Sequence, residues 1–216
     1  MSDSRKSSPW ILPASRARRT TPVPAERGVD LGVDAVLFDR DGTLIEDVPY
    51  NGDPSLVHPL PTARAALGLL RVRGIRTGVV SNQSGVARGL LTRSDVAAVR
   101  LCVESLLGAF DVWAICPHAP EDGCGCRKPA PGLVHAACDR LGVAPHRVAV
   151  VGDIAADLDA AHAAGARGVL VPTPATRRAE IDAAERTAPD LLTAVQTLLI
   201  SQPVGAGNGG ERSGGP

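Results

Sequence analysis

The chain has 216 residues, 23 basic and 23 acidic, and a formal net charge of zero. That length suits one α/β domain with a sizeable core, and the neutral balance excludes a global positive field for nucleic acid. Two Phe, two Trp and one Tyr are too few for a base-stacking platform, and no stretch approaches the ~20 apolar residues of a membrane span.

Residues 1–30 are rich in Ser, Arg and Pro, without helical periodicity or the continuous apolar stretch of a secretory signal. They read as a disordered tail, and the compartment reads as cytoplasmic and reducing. Residues 201–216 read as a flexible Gly-rich tail, leaving one domain over 31–200 and no internal repeat. Within it, short apolar runs alternate with helical patterns, the signature of a parallel sheet covered on both faces. Strands are predicted over 35–39, 76–81, 111–116, 147–152 and 167–171. Pro61 opens a helix running to Gly74, and Thr92 caps a second, with Asp95 three residues on, through Leu107. Further helices are predicted over 131–141, 155–164, 177–185 and 189–200. Ligands in such sheets sit beyond the carboxyl ends of the strands, so functional residues should collect at Asp39, Ser81, Cys116 and Asp153.

The run VLFDRDGTL (36–44) ends an apolar strand in two carboxylates. In extended chain, residues i and i+2 point the same way, so Asp39 and Asp41 share one side. Their repulsion calls for a cation or a basic neighbour. Asp153 ends another strand in GDIAAD, and three carboxylates at neighbouring strand ends suit Mg²⁺. Asp157, one turn later, is either a partner of that site or an acid favouring the helix N-terminus. Ser81, with the backbone N–H groups of Asn82 and Gln83 beyond it, offers a concavity for phosphate oxygens. Lys128 before a helix opposes the macrodipole unless an anion is present.

CPHAPEDGCGCRKP places Cys116, His118, Cys124 and Cys126 within eleven residues, a set suited to tetrahedral, structural Zn²⁺. Such an ion would rigidify a Pro/Gly loop and fix Arg127 and Lys128 beside it. Cys102 and Cys138 fall in apolar helical patterns and read as core.

DRDGT (39–43), Ser81, Lys128 and GDIAAD (152–157) together resemble the four ordered motifs of the haloacid dehalogenase (HAD) superfamily phosphatases, over nearly all of 34–172. The resemblance implies a three-layer, Rossmann-like parallel sheet and a phosphoaspartate mechanism. Asp39 would be the nucleophile and Asp41 the general acid/base, with Ser81 and Lys128 stabilising the phosphoryl oxygens. Mg²⁺ would be held by Asp39, Asp153 and the backbone carbonyl of Asp41. The zinc-type loop with SNQSGVARG is similar to the D-glycero-D-manno-heptose 1,7-bisphosphate 7-phosphatases and the related histidinol-phosphate phosphatases. Both have little or no cap domain, and about 40 residues between Asp41 and Ser81 leave no room for one. The implied substrate-binding set is Asp47, Tyr50, Asn82, Gln83, Ser84 and Arg127, the last for a second, non-reacting phosphate; Asn51 is also well placed.

The heptose bisphosphate is the favoured substrate and histidinol phosphate the alternative. Ile154 replaces a lysine common in the heptose enzymes, and five residues between His118 and Cys124 resemble the histidinol branch. A receiver-like phospho-acceptor module is disfavoured by Asp41 and the zinc-type loop. A phosphatase for nucleic-acid ends has only the basic residues near Arg16 and Arg19 in its favour. The expected partner is a small phosphorylated metabolite, with no nucleic acid or membrane, acting on a monomer.

Overall fold

Apolar runs buried on both faces form parallel sheet because crossover helices cover each side. The structure, a computed structural model, describes residues 8–13 and 32–200. Its strands are β1 (Trp10–Pro13), β2 (Ala35–Phe38), β3 (Arg76–Asn82), β4 (Val112–Cys116), β5 (Val148–Gly152) and β6 (Arg167–Leu170). They lie in one sheet, in the order β1-β4-β3-β2-β5-β6. All pairings are parallel except β1 with β4.

Alternation along the strands divides the core in two. Val36 and Phe38, Val79, Trp113 and Ile115, and Val151 face helices α1 (Ala63–Val72), α2 (Arg93–Leu107) and α6 (Leu191–Leu199). Ala35 and Leu37, Val80, Ala114 and Val150 face α3 (Gly132–Leu141) and α4 (Ala155–Ala163). A short α5 (Arg178–Ala183) follows β6. The chain builds outward from β2 through β3 to β4, then returns past β2 to lay down β5 and β6. Strand order therefore reverses at β2, and Asp39 and Asp153 follow the two strands bordering that point.

Local signals account for the helix limits. Thr92 Oγ1 accepts a hydrogen bond from the Asp95 N–H, and the Asp95 carboxylate accepts one from the Thr92 N–H, a reciprocal cap. Pro61 lies in a turn ahead of α1, which starts two residues later than predicted. The segment between β2 and β3 holds a 3₁₀ turn (Pro54–Leu56) and α1, with no inserted cap domain.

The N-terminal expectation needs correction. Residues 10–13 are β1, within the stretch read as a disordered tail; residues 1–7, 14–31 and 201–216 lie outside the described residues. Trp10 and Leu12 pack on one core face and Ile11 on the other. The Arg93 guanidinium stands 4.9 Å from the Trp10 ring centroid. Pairing with β4 overrides the polar surroundings of WILP, a tertiary effect that local composition does not carry. Deleting residues 1–13 is expected to cost about 1–3 kcal/mol of stability through lost apolar burial. Urea denaturation checks this, and an unchanged midpoint would assign the strand no stabilising role.

Candidate active site

Three strand ends and one loop build the site. After β2, the Asp39 N–H still donates to the Val151 carbonyl at 2.9 Å, which carries the carboxylate to the mouth of the sheet. The chain then turns through Gly42, whose φ of +76° and close approach exclude a side chain. A Cβ there would lie 2.4 Å from Asp153 Oδ2. After β5, Gly152 is equally constrained, since its Cβ would lie 2.2 Å from Asp157 Cγ. Thr176 Oγ1 donates to the Asp153 carbonyl at 2.7 Å, tying in the segment after β6.

Lys128 is the centre of this arrangement. Its buried Nζ donates to Asp39 Oδ1 at 2.6 Å, Asp157 Oδ1 at 2.5 Å and the Val80 carbonyl at 2.9 Å, using all three ammonium donors. Asn82 holds the Lys128 backbone from both ends. Its Nδ2 donates to the carbonyl and its Oδ1 accepts from the N–H, each at 3.1 Å. Burial would lower the Lys128 pKa, but Asp157 and Asp39 outweigh it and hold it raised.

Asp39, Asp153 and Asp157 bring carboxylate oxygens within 4.8 Å of one another. Burial pushes the Asp39 carboxyl up to about 8, with Lys128 opposing and Asp157 and Asp41 adding to the rise. Burial and the charge of Asp157 push Asp153 up to about 7. Three carboxylates against one ammonium leave two uncompensated negative charges when all are ionised. An oxygen-liganded divalent cation fits that deficit and that donor set. Asp157 serves both purposes considered for it: Oδ1 meets Lys128, and Oδ2 accepts from the Ile154 N–H at 3.4 Å.

Asp41 takes a different environment. Arg40, nearly fully buried, donates Nε to Oδ1 and Oδ2 at 2.9 and 3.0 Å and Nη2 to Oδ2 at 2.8 Å. Gln83 Nε2 donates to Asp41 Oδ2 at 3.0 Å and to Ser81 Oγ at 2.8 Å.

A cavity of about 230 Å³ opens over these groups. Asp39, Asp41 and Asp153 line it, and so do Asp47, Tyr50, Asn82, Gln83 and Ser84 of the predicted substrate set. Burial, then the charge of Asp41, raises the Asp47 pKa. Tyr50 adopts a left-handed φ of 52°, and its hydroxyl accepts from Arg88 Nη1 at 2.8 Å. Ser81 and Lys128 are buried next to these lining residues.

Arg127 lies outside this cavity's lining, and its Nη1 donates to the His118 carbonyl at 3.4 Å. Two expectations are corrected. Asn51 is buried, with Oδ1 accepting the Asp53 N–H at 2.7 Å. The Gln83 N–H is not open to an anion, because it donates to the Cys116 carbonyl at 2.7 Å. β3 runs one residue further than predicted, so sheet pairing takes that amide. The Arg40 and Gln83 side-chain contacts and Thr176 were missed. DRDGT and SNQSG carried the first two, whereas Thr176 has no local signal.

Beside the site, β4 ends in Cys116, and the following loop brings three more soft ligands to it. Cys116 Sγ lies 3.4 Å from His118 Nδ1, 3.7 Å from Cys124 Sγ and 3.4 Å from Cys126 Sγ. His118 Nδ1 lies 3.2 Å from Cys126 Sγ, and the two loop cysteines are 3.6 Å apart. A tetrahedron with ordinary Zn–S and Zn–N bonds has edges of about 3.5–3.8 Å, so the residues fit this ion. The hydrogen bond from Cys126 pulls the Cys116 thiol down to about 5, while Cys116 in turn pushes Cys126 up.

Residues 125–198 match the HAD-hydrolase-like family model. The chain is 34% identical over 147 residues to the D-glycero-beta-D-manno-heptose-1,7-bisphosphate 7-phosphatase of Pseudomonas putida, covering 64% of this chain and 82% of the relative. It is 37% identical over 137 residues to the alpha-heptose counterpart of Mycobacterium tuberculosis, covering 59% and 70%. The crystal structure of D,D-heptose 1,7-bisphosphate phosphatase from Bordetella bronchiseptica, complexed with magnesium and phosphate, superimposes with a TM-score of 0.69 at 30% identity. That match covers 77% of this chain and 98% of the other.

Two outcomes test the site. Gly152→Ala forces Asp157 to move and is expected to cost about 1–3 kcal/mol in urea denaturation. Cys124→Ser is expected to lose zinc by atomic emission, and zinc retained at full stoichiometry would refute the four-ligand assignment.

Proposed function

Because the chain belongs to the heptose-1,7-bisphosphate 7-phosphatase family of HAD-like phosphoric monoester hydrolases, we propose that it removes the 7-phosphate of a D-glycero-D-manno-heptose 1,7-bisphosphate. The observation that carries the reading is the meeting of Asp39, Asp153 and Asp157 around Lys128, next to a cavity that Asp41 also lines.

Asp39 attacks phosphorus and is transiently phosphorylated. Asp41 gives a proton to the departing sugar oxygen, then takes one from the water that hydrolyses the aspartyl-phosphate. Lys128 holds Asp39 in line and, with the Ser81 hydroxyl, stabilises charge on the transferring oxygens. Asp39, Asp153 and the Asp41 carbonyl would hold Mg²⁺, which when bound neutralises the charge of the phosphoryl group. The second ion, Zn²⁺ on Cys116, His118, Cys124 and Cys126, is structural because protein ligands fill all four positions.

With no cap domain inserted between β2 and β3, selectivity falls to the loop carrying Asp47 and Tyr50 and to the Asn82–Gln83–Ser84 segment. These polar groups suit a sugar hydroxyl chain. Among the described residues no helix is long and apolar enough to cross a membrane.

Phosphate release should be fastest from a heptose bisphosphate, assayed as both anomers, and should vanish with EDTA and return with Mg²⁺. Asp39→Asn should release none. Histidinol phosphate turned over at much higher kcat/KM would replace the proposed substrate while leaving the mechanism in place.

A further inference from the structure

Asp41 has two oxygens in unequal surroundings. Oδ2 accepts from Arg40 Nη2 at 2.8 Å, Arg40 Nε at 3.0 Å and Gln83 Nε2 at 3.0 Å. Among the described residues, Oδ1 accepts only from Arg40 Nε, at 2.9 Å. Each carboxylate oxygen offers about two lone-pair sites, so Oδ2 is filled and Oδ1 keeps one open. A proton placed on Oδ2 would face three N–H groups, whereas one placed on Oδ1 displaces nothing.

We propose that Arg40 and Gln83 are positioning residues that clamp Asp41 through Oδ2 and leave Oδ1 to carry the proton exchanged in the reaction. The proposal rests on the acid/base reading of Asp41. Arg40 suits this use because its side chain is buried and cannot swing into solvent. The Gln83 amide is oriented by its two acceptors, since the reversed amide would set its carbonyl against the Asp41 carboxylate. Because Ser81 Oγ accepts from Gln83, its own proton is left to point elsewhere, and one glutamine links the Ser81 side of the site to the proton-transfer side. The other charges acting around Asp41 are those of Asp39 and Asp47.

In the first step an Asp39 oxygen bonds to phosphorus, the bond from phosphorus to the sugar oxygen breaks, and the Oδ1 proton moves to that oxygen. In the second a water oxygen bonds to phosphorus, its proton moves to Oδ1, and the bond to Asp39 breaks to release inorganic phosphate.

Arg40→Met and Gln83→Leu test the clamp with two substrates. The sugar bisphosphate needs a proton for its poor leaving group; p-nitrophenyl phosphate does not. On the sugar, kcat should fall by ~10–100-fold in both variants for a misplaced acid, with KM little changed in Arg40→Met. On p-nitrophenyl phosphate both variants should release a rapid burst approaching one p-nitrophenolate per active site, then turn over slowly, because only the second step still needs Asp41. Equal losses on the two substrates without a burst would assign both residues a merely structural role and overturn the proposal. Asp41→Asn is the control. A burst there, with none in Arg40→Met and Gln83→Leu, overturns the clamp alone; no burst in Asp41→Asn removes the acid/base reading and the clamp with it.

Discussion

The rest of the site depends on one buried ammonium. Lys128 Nζ spends its three donors on Asp39, Asp157 and a β3 carbonyl, which compensates an ammonium that has little access to water. Two carboxylates on separate strand connections are thereby drawn together, and Asp153 follows because Gly42 and Gly152 leave no space between the loops. The cluster remains short of positive charge, a deficit that an oxygen-liganded cation fits. Asn82 gives the lysine its register by gripping its backbone, so a residue of β3 sets the position of a group from the loop before α3.

The sheet turns this local chemistry into a cleft. Its order reverses at β2, and the two sides of the reversal supply Asp39 and Asp153. Only a turn and α1 fill the connection from β2 to β3, so the mouth stays open and the 46–51 segment forms its rim. The cysteine-rich loop after β4 lies on the same side and leads within two residues from Cys126 to Lys128. Order in that loop and the position of the lysine are therefore coupled through a very short stretch of chain.

Much of this was legible in the sequence. Five strands, the capped helix at Thr92 and the convergence at strand ends came from period and punctuation, because each element is locally self-consistent. Asp39, Asp153 and Lys128 were legible because acids or a lysine at those positions make no sense without compensation. Less was legible where the outcome depended on tertiary contact. Whether Asp157 served the helix or the carboxylate site turned on the fold, and it does both, meeting Lys128 and the Ile154 N–H. Asn51 was assigned by its place in the loop, and a hydrogen bond from the Asp53 N–H turns its carbonyl away from the cavity. Arg40 looked like a spacer between two acids, because sequence does not say where a flexible side chain turns.

β1 carries a further consequence. Trp10 registers with Ile115, so the first strand pairs with a residue made over a hundred positions later. During synthesis the WILP segment leaves the ribosome early and waits until β4 exists. The far edge of the sheet is then a late closure of high contact order, and it completes the strand whose last residue is Cys116.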